Sequence, residues 1–149
     1  MAGNQSGICR ISFLKETSRN WFSWFQKYYG KDPLEGSSPL IKQAAQQLTE
    51  YFQRERRQFQ IPLDLRGTSF QKRIWTELLS IPYGTTISYG EVARRIGRPR
   101  ASRAVGSAVG NNPMLIIVPC HRIIAHDGSL AGFRGGFLNK RKLLKLEQE

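Results

Sequence analysis

Sulfur and imidazole are scarce in this chain, which holds two cysteines, two methionines and two histidines in 149 residues. Cys9 and Cys120 cannot build a disulfide framework, and in an intracellular chain both are expected as reduced thiols. Neither stands in a CxxC or CxxxH pattern, and His121 and His126 add too few ligands to make a structural zinc site. No metal is therefore expected. Long apolar runs are missing too, and no window approaches the roughly 18 residues of a membrane span. The opening MAGNQSGICR lacks the basic start and apolar stretch of a secretory signal. These absences point to a soluble intracellular protein, cytoplasmic if the source is bacterial or archaeal and nuclear if it is eukaryotic.

Acid is in short supply as well. Twenty-three Lys and Arg stand against 11 Asp and Glu, a formal charge of +12. A field of that sign favours a polyanionic partner, nucleic acid above all; a basic protein without such a partner, or one drawn to anionic lipid, is the alternative. From Val92 to Arg122 the chain carries six arginines (Arg94, Arg95, Arg98, Arg100, Arg103, Arg122) and no acidic residue. No long amphipathic basic helix offers a membrane a competing footprint.

The length suits one domain, or two small lobes sharing a core. Ile8 to Phe13 reads as a short strand. Trp21, Trp24, Phe25 and Tyr28 recur at helical spacing, as do Ile41, Ala44, Ala45, Leu48 and Phe52, with GKDPLEGSSP between them as a loop. The aromatic stripe and Cys9 read as core. A break falls at Ile61–Gly67. After it Thr68 or Ser69 caps a helix with Phe70, Ile74, Leu78 and Leu79 on one face, ended by Pro82. Ser88 and Glu91 form a capping box for a second helix, stopped at Gly97. A third helix runs from about Ala101 to Val109, and the pair reads as a basic helix-turn-helix.

The third helix has an unusual outer face. With Ala101, Ala104, Val105, Ala108 and Val109 placed inward, Ser102, Arg103, Gly106, Ser107 and Gly110 face out. A minor groove is only about 6 Å wide, so a nearly bare helix could press into it and Arg103 reach the base stack. Close helix–helix packing through the same small residues is the alternative.

Next comes the apolar run Leu115–Val118, read as a buried strand or extended segment, delivering Pro119-Cys120-His121-Arg122. A thiol in apolar surroundings stays protonated unless a base and an oriented hydrogen-bond chain serve it. His121 is the obvious base. Adjacent residues in an extended segment point to opposite sides, so contact through a water is expected, with a carboxylate holding the imidazole tautomer.

NPxxxxxPCHR, with ISYGEVA and SRAVG before it and GGFLNKRKLLKLE after it, resembles the O6-alkylguanine-DNA alkyltransferase family over about Gly67–Glu147. The resemblance implies an α+β fold. A small N-terminal lobe, residues 1–66 and reduced relative to the family, would precede a mostly helical, winged-helix-like domain, residues 67–149, holding the helix-turn-helix. It implies that Cys120 accepts the alkyl group, that His121 deprotonates it through a water, and that Glu147 orients the histidine. Asn112 would brace the site. Tyr89 would help rotate the nucleotide out and donate a proton to the guanine, while Arg103 fills the vacated place in the stack. Ser102, Gly106, Ser107 and Arg100 would lie on the DNA, and Arg122 would be structural. Backbone groups near Cys120 and Ile123 would accept from the guanine amine.

Further implications are double-stranded DNA bearing O6-alkylguanine as partner, a monomer, no cofactor, and one reaction per molecule. In the substrate loop GFRGG, Phe133 stands where the family often has tyrosine and Arg134 where it often has a small residue, which leaves the range of alkyl groups open. His126 and Asp127 read as a solvated turn. Three other readings compete. A lesion binder of the alkyltransferase-like kind would lack the cysteine. A helix-turn-helix regulator would need a bulkier outer face, and a cysteine hydrolase would leave Arg103 unexplained.

Overall fold

The computed structural model describes residues 1–13, 18–30 and 38–149. The loop expected at GKDPLEGSSP lies almost wholly outside the described residues. The chain opens with an antiparallel hairpin, β1 (Ala2–Asn4) and β2 (Gly7–Arg10), closed by the Asn4 side chain accepting from the Ser6 and Gly7 amides. All four residues of β2 are buried, so the alternation expected of a half-exposed strand is absent. Helix α1 (Ser18–Tyr29) lays Phe25, Trp21 and Trp24 over Ala2 and Cys9, and the Arg10 guanidinium sits against the Trp21 and Trp24 rings. Of the expected stripe, Phe25 is core, Trp21 and Trp24 are half-buried against it, and Tyr28 lies outside this cluster, its place taken by Tyr29.

Ser38 caps α2 (Pro39–Phe52), with proline at the first position, where its missing N–H costs nothing. Its buried residues are Ala44, Gln47 and Tyr51; Ala45 and Phe52, expected inside, are exposed. The inward arc is turned because Gln47 is engaged at both ends of its amide with Gln60, and Tyr51 reaches a buried carboxylate. The Ile61–Gly67 stretch is pinned along β2: Ile8 N donates to Pro62 O and Asp64 N donates to Ile8 O.

Thr68 and Gln71 form a complete capping box on α3 (Ser69–Leu79). Strand β3 (Ile87–Ser88) leads into α4 (Tyr89–Arg95), which Ser88 caps alone: the Glu91 carboxylate turns to Arg94 and Arg95 rather than closing the expected box. Gly97, at φ +71°, ends the helix in the left-handed conformation that glycine adopts freely. Helix α5 (Ser102–Gly110) packs on α3 and α4 through Val105, Ala108 and Val109, and the Trp75 indole donates to Ala108 O at 2.9 Å. Ala104, expected inside, is exposed, because the packed stripe is narrow and Gly106 lies against the Tyr89 ring.

The run Leu115–Val118 is buried but is neither strand nor extended. Ile117 N donates to Leu115 O around Ile116 at φ +75°, and Cys120 N donates to Val118 O around Pro119, two tight turns in succession. The first is of the rare left-handed kind that a β-branched residue adopts only under strain. A 3-10 turn, Cys120–Arg122, follows, and β4 (Ile123–Ile124) pairs in parallel with β3. Helix α6 (Phe137–Gln148) closes the chain. The architecture is α+β, a small N-terminal lobe and a mainly helical C-terminal part. Among the described residues no helix is long and apolar enough to cross a membrane.

Candidate active site

Three elements bring the reactive groups together: the end of α5, the turns around Cys120, and the last turn of α6. Asn112, fully buried just past α5, accepts from Met114 N at 2.9 Å and donates to Val118 O and to Cys120 Sγ, each at 3.0 Å. One amide thus ties the helix end to the turns and to the sulfur.

Cys120 is buried, and burial pushes its thiol up to about 11, even though the Asn112 bond and the charges of Lys140 and Arg134 pull the other way. The thiol is protonated at rest. His121 is fully buried and held below its ordinary range by that burial, which outweighs the opposing effect of Glu147. The resting pair is therefore thiol and neutral imidazole. His121 Nε2 bonds Glu147 Oε1 at 2.8 Å, while Nδ1 is buried with no hydrogen-bond partner among the described residues. With the N–H on Nε2, directed at the carboxylate, Nδ1 carries the lone pair of a base.

Glu147 is the hub. Oε1 accepts from Tyr51 Oη at 2.7 Å, His121 Nε2 at 2.8 Å and Arg122 Nη2 at 2.8 Å; Oε2 accepts from Arg122 Nε at 2.9 Å and the Gly84 amide at 3.1 Å. Burial pushes its carboxyl up, but these donors outweigh it and hold the group well below the usual carboxylate range. Arg122, expected to be structural, also donates to Ile81 O at 2.6 Å. At Gly84, where φ is +75°, a Cβ would come within 2.9 Å of Glu147 O, so glycine admits the α6 backbone.

Sequence reasoning missed two residues. Lys140, fully buried, donates to Ile123 O at 2.5 Å and to Ala131 O at 3.1 Å, clasping the segment after Cys120 to the loop before α6. The signal was present, since Lys140 precedes Leu143, Leu144 and Glu147 by three, four and seven, the spacing of one helix face. Tyr51 likewise follows Ala44 by seven on α2. The Ile123 carbonyl keeps a second lone pair for another donor.

Tyr89, first residue of α4, is half-buried, and its hydroxyl is pushed up by burial and then by the Cys120 charge. Phe133 is half-buried, its ring edge-on to both His121 and Phe13. Arg134 is exposed beside it. Ser102 and Gly106 are half-buried on α5, and Arg103, Ser107 and Arg100 are exposed on the helix-turn-helix. His126 and Asp127 are exposed, in a turn that Asp127 closes through Ser129. The arrangement offers a soft nucleophile, a neutral base oriented by a buried carboxylate, and a basic helical surface alongside.

Comparison with known proteins divides along the same chain. Residues 1–65 match the family described as 6-O-methylguanine DNA methyltransferase, ribonuclease-like domain, and residues 69–149 match 6-O-methylguanine DNA methyltransferase, DNA binding domain. The chain is similar to methylated-DNA–protein-cysteine methyltransferase from Mycobacterium tuberculosis, with 46% identity over 148 residues, covering 99% of this chain and 84% of that protein. An inducible methylated-DNA–protein-cysteine methyltransferase from Bacillus subtilis is 39% identical over 148 residues, covering 99% and 83%. The crystal structure of the Mycobacterium tuberculosis protein OGT in complex with DNA superposes with a TM-score of 0.84 at 47% identity, covering 99% of this chain and 84% of that one.

Proposed function

The chain belongs to the 6-O-methylguanine DNA methyltransferase family, the O6-alkylguanine-DNA alkyltransferases, and we propose that Cys120 is the cysteine on which it accepts the alkyl group. The protein binds DNA and repairs O6-alkylguanine by moving the alkyl group to its own sulfur. The observation that carries the choice of residue is the buried Cys120 sulfur, held by Asn112 next to a His121 tied to Glu147.

In this reading the sulfur–carbon bond forms as the carbon–O6 bond breaks. His121 Nδ1 takes the thiol proton, Glu147 steadies the imidazolium that results, and Tyr89 supplies a proton to the departing guanine. Because thiol and imidazole are both neutral at rest, ionisation is confined to the encounter with substrate. The target carbon is unreachable within the stack, so the nucleotide must be turned out. Arg103, exposed on α5 among Ser102, Gly106 and Ser107, fills the gap from the minor groove, with Arg100 alongside. Ile123, Phe133 and Arg134 border the pocket. A thioether is stable, so each molecule acts once, as a monomer and without a cofactor, within the compartment that holds the DNA. The reactive residues fall in a C-terminal part, residues 67–149, braced by an N-terminal lobe, residues 1–66.

A Cys120→Ser variant tests the assignment. It is expected to bind a duplex containing O6-methylguanine as the parent does and to leave the lesion unchanged. Restoration of guanine by that variant would refute the role of Cys120.

A further inference from the structure

Glu147 draws its hydrogen bonds from both halves of the chain, and the one from the N-terminal lobe has no part in the reaction as described. Tyr51, near the end of α2, is completely buried, and its hydroxyl reaches across 96 residues to Glu147 Oε1 at 2.7 Å. Its ring is enclosed by Phe59 at 5.4 Å and Tyr83 at 6.0 Å. We propose that Tyr51 is a positioning residue for alkyl transfer: its hydroxyl holds Glu147 Oε1 against His121 Nε2, so that the N-terminal lobe helps to build the reactive centre.

The inference rests on the reading of Cys120 and His121 given above. Oε1 is shared by three donors, and they are unequal. Arg122 grips both carboxylate oxygens with a charged fork whose remaining nitrogen is anchored on Ile81 O. A charged fork outcompetes a neutral imidazole N–H for the same oxygen. Tyr51 adds a donor from the opposite lobe and restrains the carboxylate from turning wholly to Arg122. Burial keeps the phenol protonated, so it remains a donor throughout the working pH range. Without it, His121 would lose part of what fixes the N–H on Nε2, and Nδ1 would be available as a base for less of the time.

Tyr51→Phe removes the hydroxyl and keeps the ring. The expected result is single-turnover methyl transfer about tenfold slower at pH 7, with duplex binding unchanged. The deficit should shrink toward pH 9.5, where hydroxide increasingly ionises the thiol without help from His121. Nitrogen-15 shifts of the His121 ring should show a neutral imidazole with a weaker Nε2–H preference. A rate within twofold of the parent would overturn the inference. So would a deficit equal at every pH, accompanied by a His121 ring titrating near 6.5, since that describes a loosened fold. Phe59→Leu, which relaxes the packing and spares the hydroxyl, should lower stability without the pH-dependent deficit; the same deficit there would also overturn the inference. A parent protein that takes up no methyl would refute the reading of the site, whereas a normal parent and a normal Tyr51→Phe would refute only the role of Tyr51.

Discussion

Asn112 and Cys120 stand eight residues apart and share a buried hydrogen bond of 3.0 Å, amide to sulfur. The same side chain satisfies Val118 O and Met114 N, so the turn that presents the sulfur is built on it. Replacing Asn112 with alanine leaves Met114 N buried and unsatisfied, at about 1–3 kcal/mol, while Val118 O keeps the Cys120 amide. The expected loss is therefore about 2 kcal/mol by urea denaturation. Loss of the bond to sulfur should also raise the thiol further and slow its reaction with iodoacetamide at pH 8. A stable variant with faster modification would contradict this account of Asn112.

Arg122 and Glu147 form the most buried ion pair among the described residues, two-pronged and shared with His121. Breaking a buried pair from one side strands the other charge and commonly costs about 3–5 kcal/mol. Arg122→Leu should fall in that range in urea, followed by tryptophan fluorescence. A change under about 1 kcal/mol would mean that Tyr51, His121 and Gly84 satisfy the carboxylate without Arg122.

How much of this was legible beforehand can be read residue by residue. The caps at Thr68 and Ser88, the stop at Gly97 and the helix-turn-helix were written in local chemistry, and the structure follows them. The PCHR core led to Cys120 and His121, and the position of Glu147 on the last helix was anticipated. Leu115–Val118 misled because four consecutive apolar residues look alike in a strand and in a buried double turn; what bends them is Asn112, bonding residues two and six positions ahead. Helical spacing could have put Tyr51 and Lys140 on buried faces, but their partners lie 96 and 17 residues away, and no local pattern encodes those meetings. The protonation state escaped too. An adjacent histidine offers a base, but the depth of burial decides where the proton rests, and depth belongs to the fold.

The thiol value gives a pH prediction. With Cys120 pushed up to about 11, only about one thiol in ten thousand is ionised at pH 7. Iodoacetamide should modify it slowly there, the rate rising about tenfold per pH unit toward 10, as followed by peptide mass. A plateau below pH 8 would mean that His121 holds a resting thiolate.

Stability should also follow pH. Both His121 and Glu147 sit below their ordinary values of 6.5 and 4.5 in the folded chain. The unfolded chain therefore takes up protons that the folded one refuses, and stability falls as pH drops through each value. The urea midpoint should decline from about pH 6.5 and more steeply below about 4.5. In His121→Asn the first decline should vanish. A midpoint flat from pH 7 to 5 in the parent would contradict the buried neutral imidazole.

Arg103, exposed on α5, is assigned to the duplex rather than to the chemistry. Arg103→Ala should react with free O6-benzylguanine at the parental rate and repair O6-methylguanine in duplex DNA at least tenfold more slowly. Equal losses on both substrates would place Arg103 in the support of the fold.

The central claim is that the methyl group ends on Cys120. Mixing the protein with one equivalent of a duplex carrying a single O6-methylguanine, then weighing the intact chain and its peptides, tests it directly. The account predicts a gain of one methyl, confined to the peptide holding Cys120, in step with the restored guanine. Guanine restored with no gain in protein mass, or a methyl found on Cys9, would contradict it.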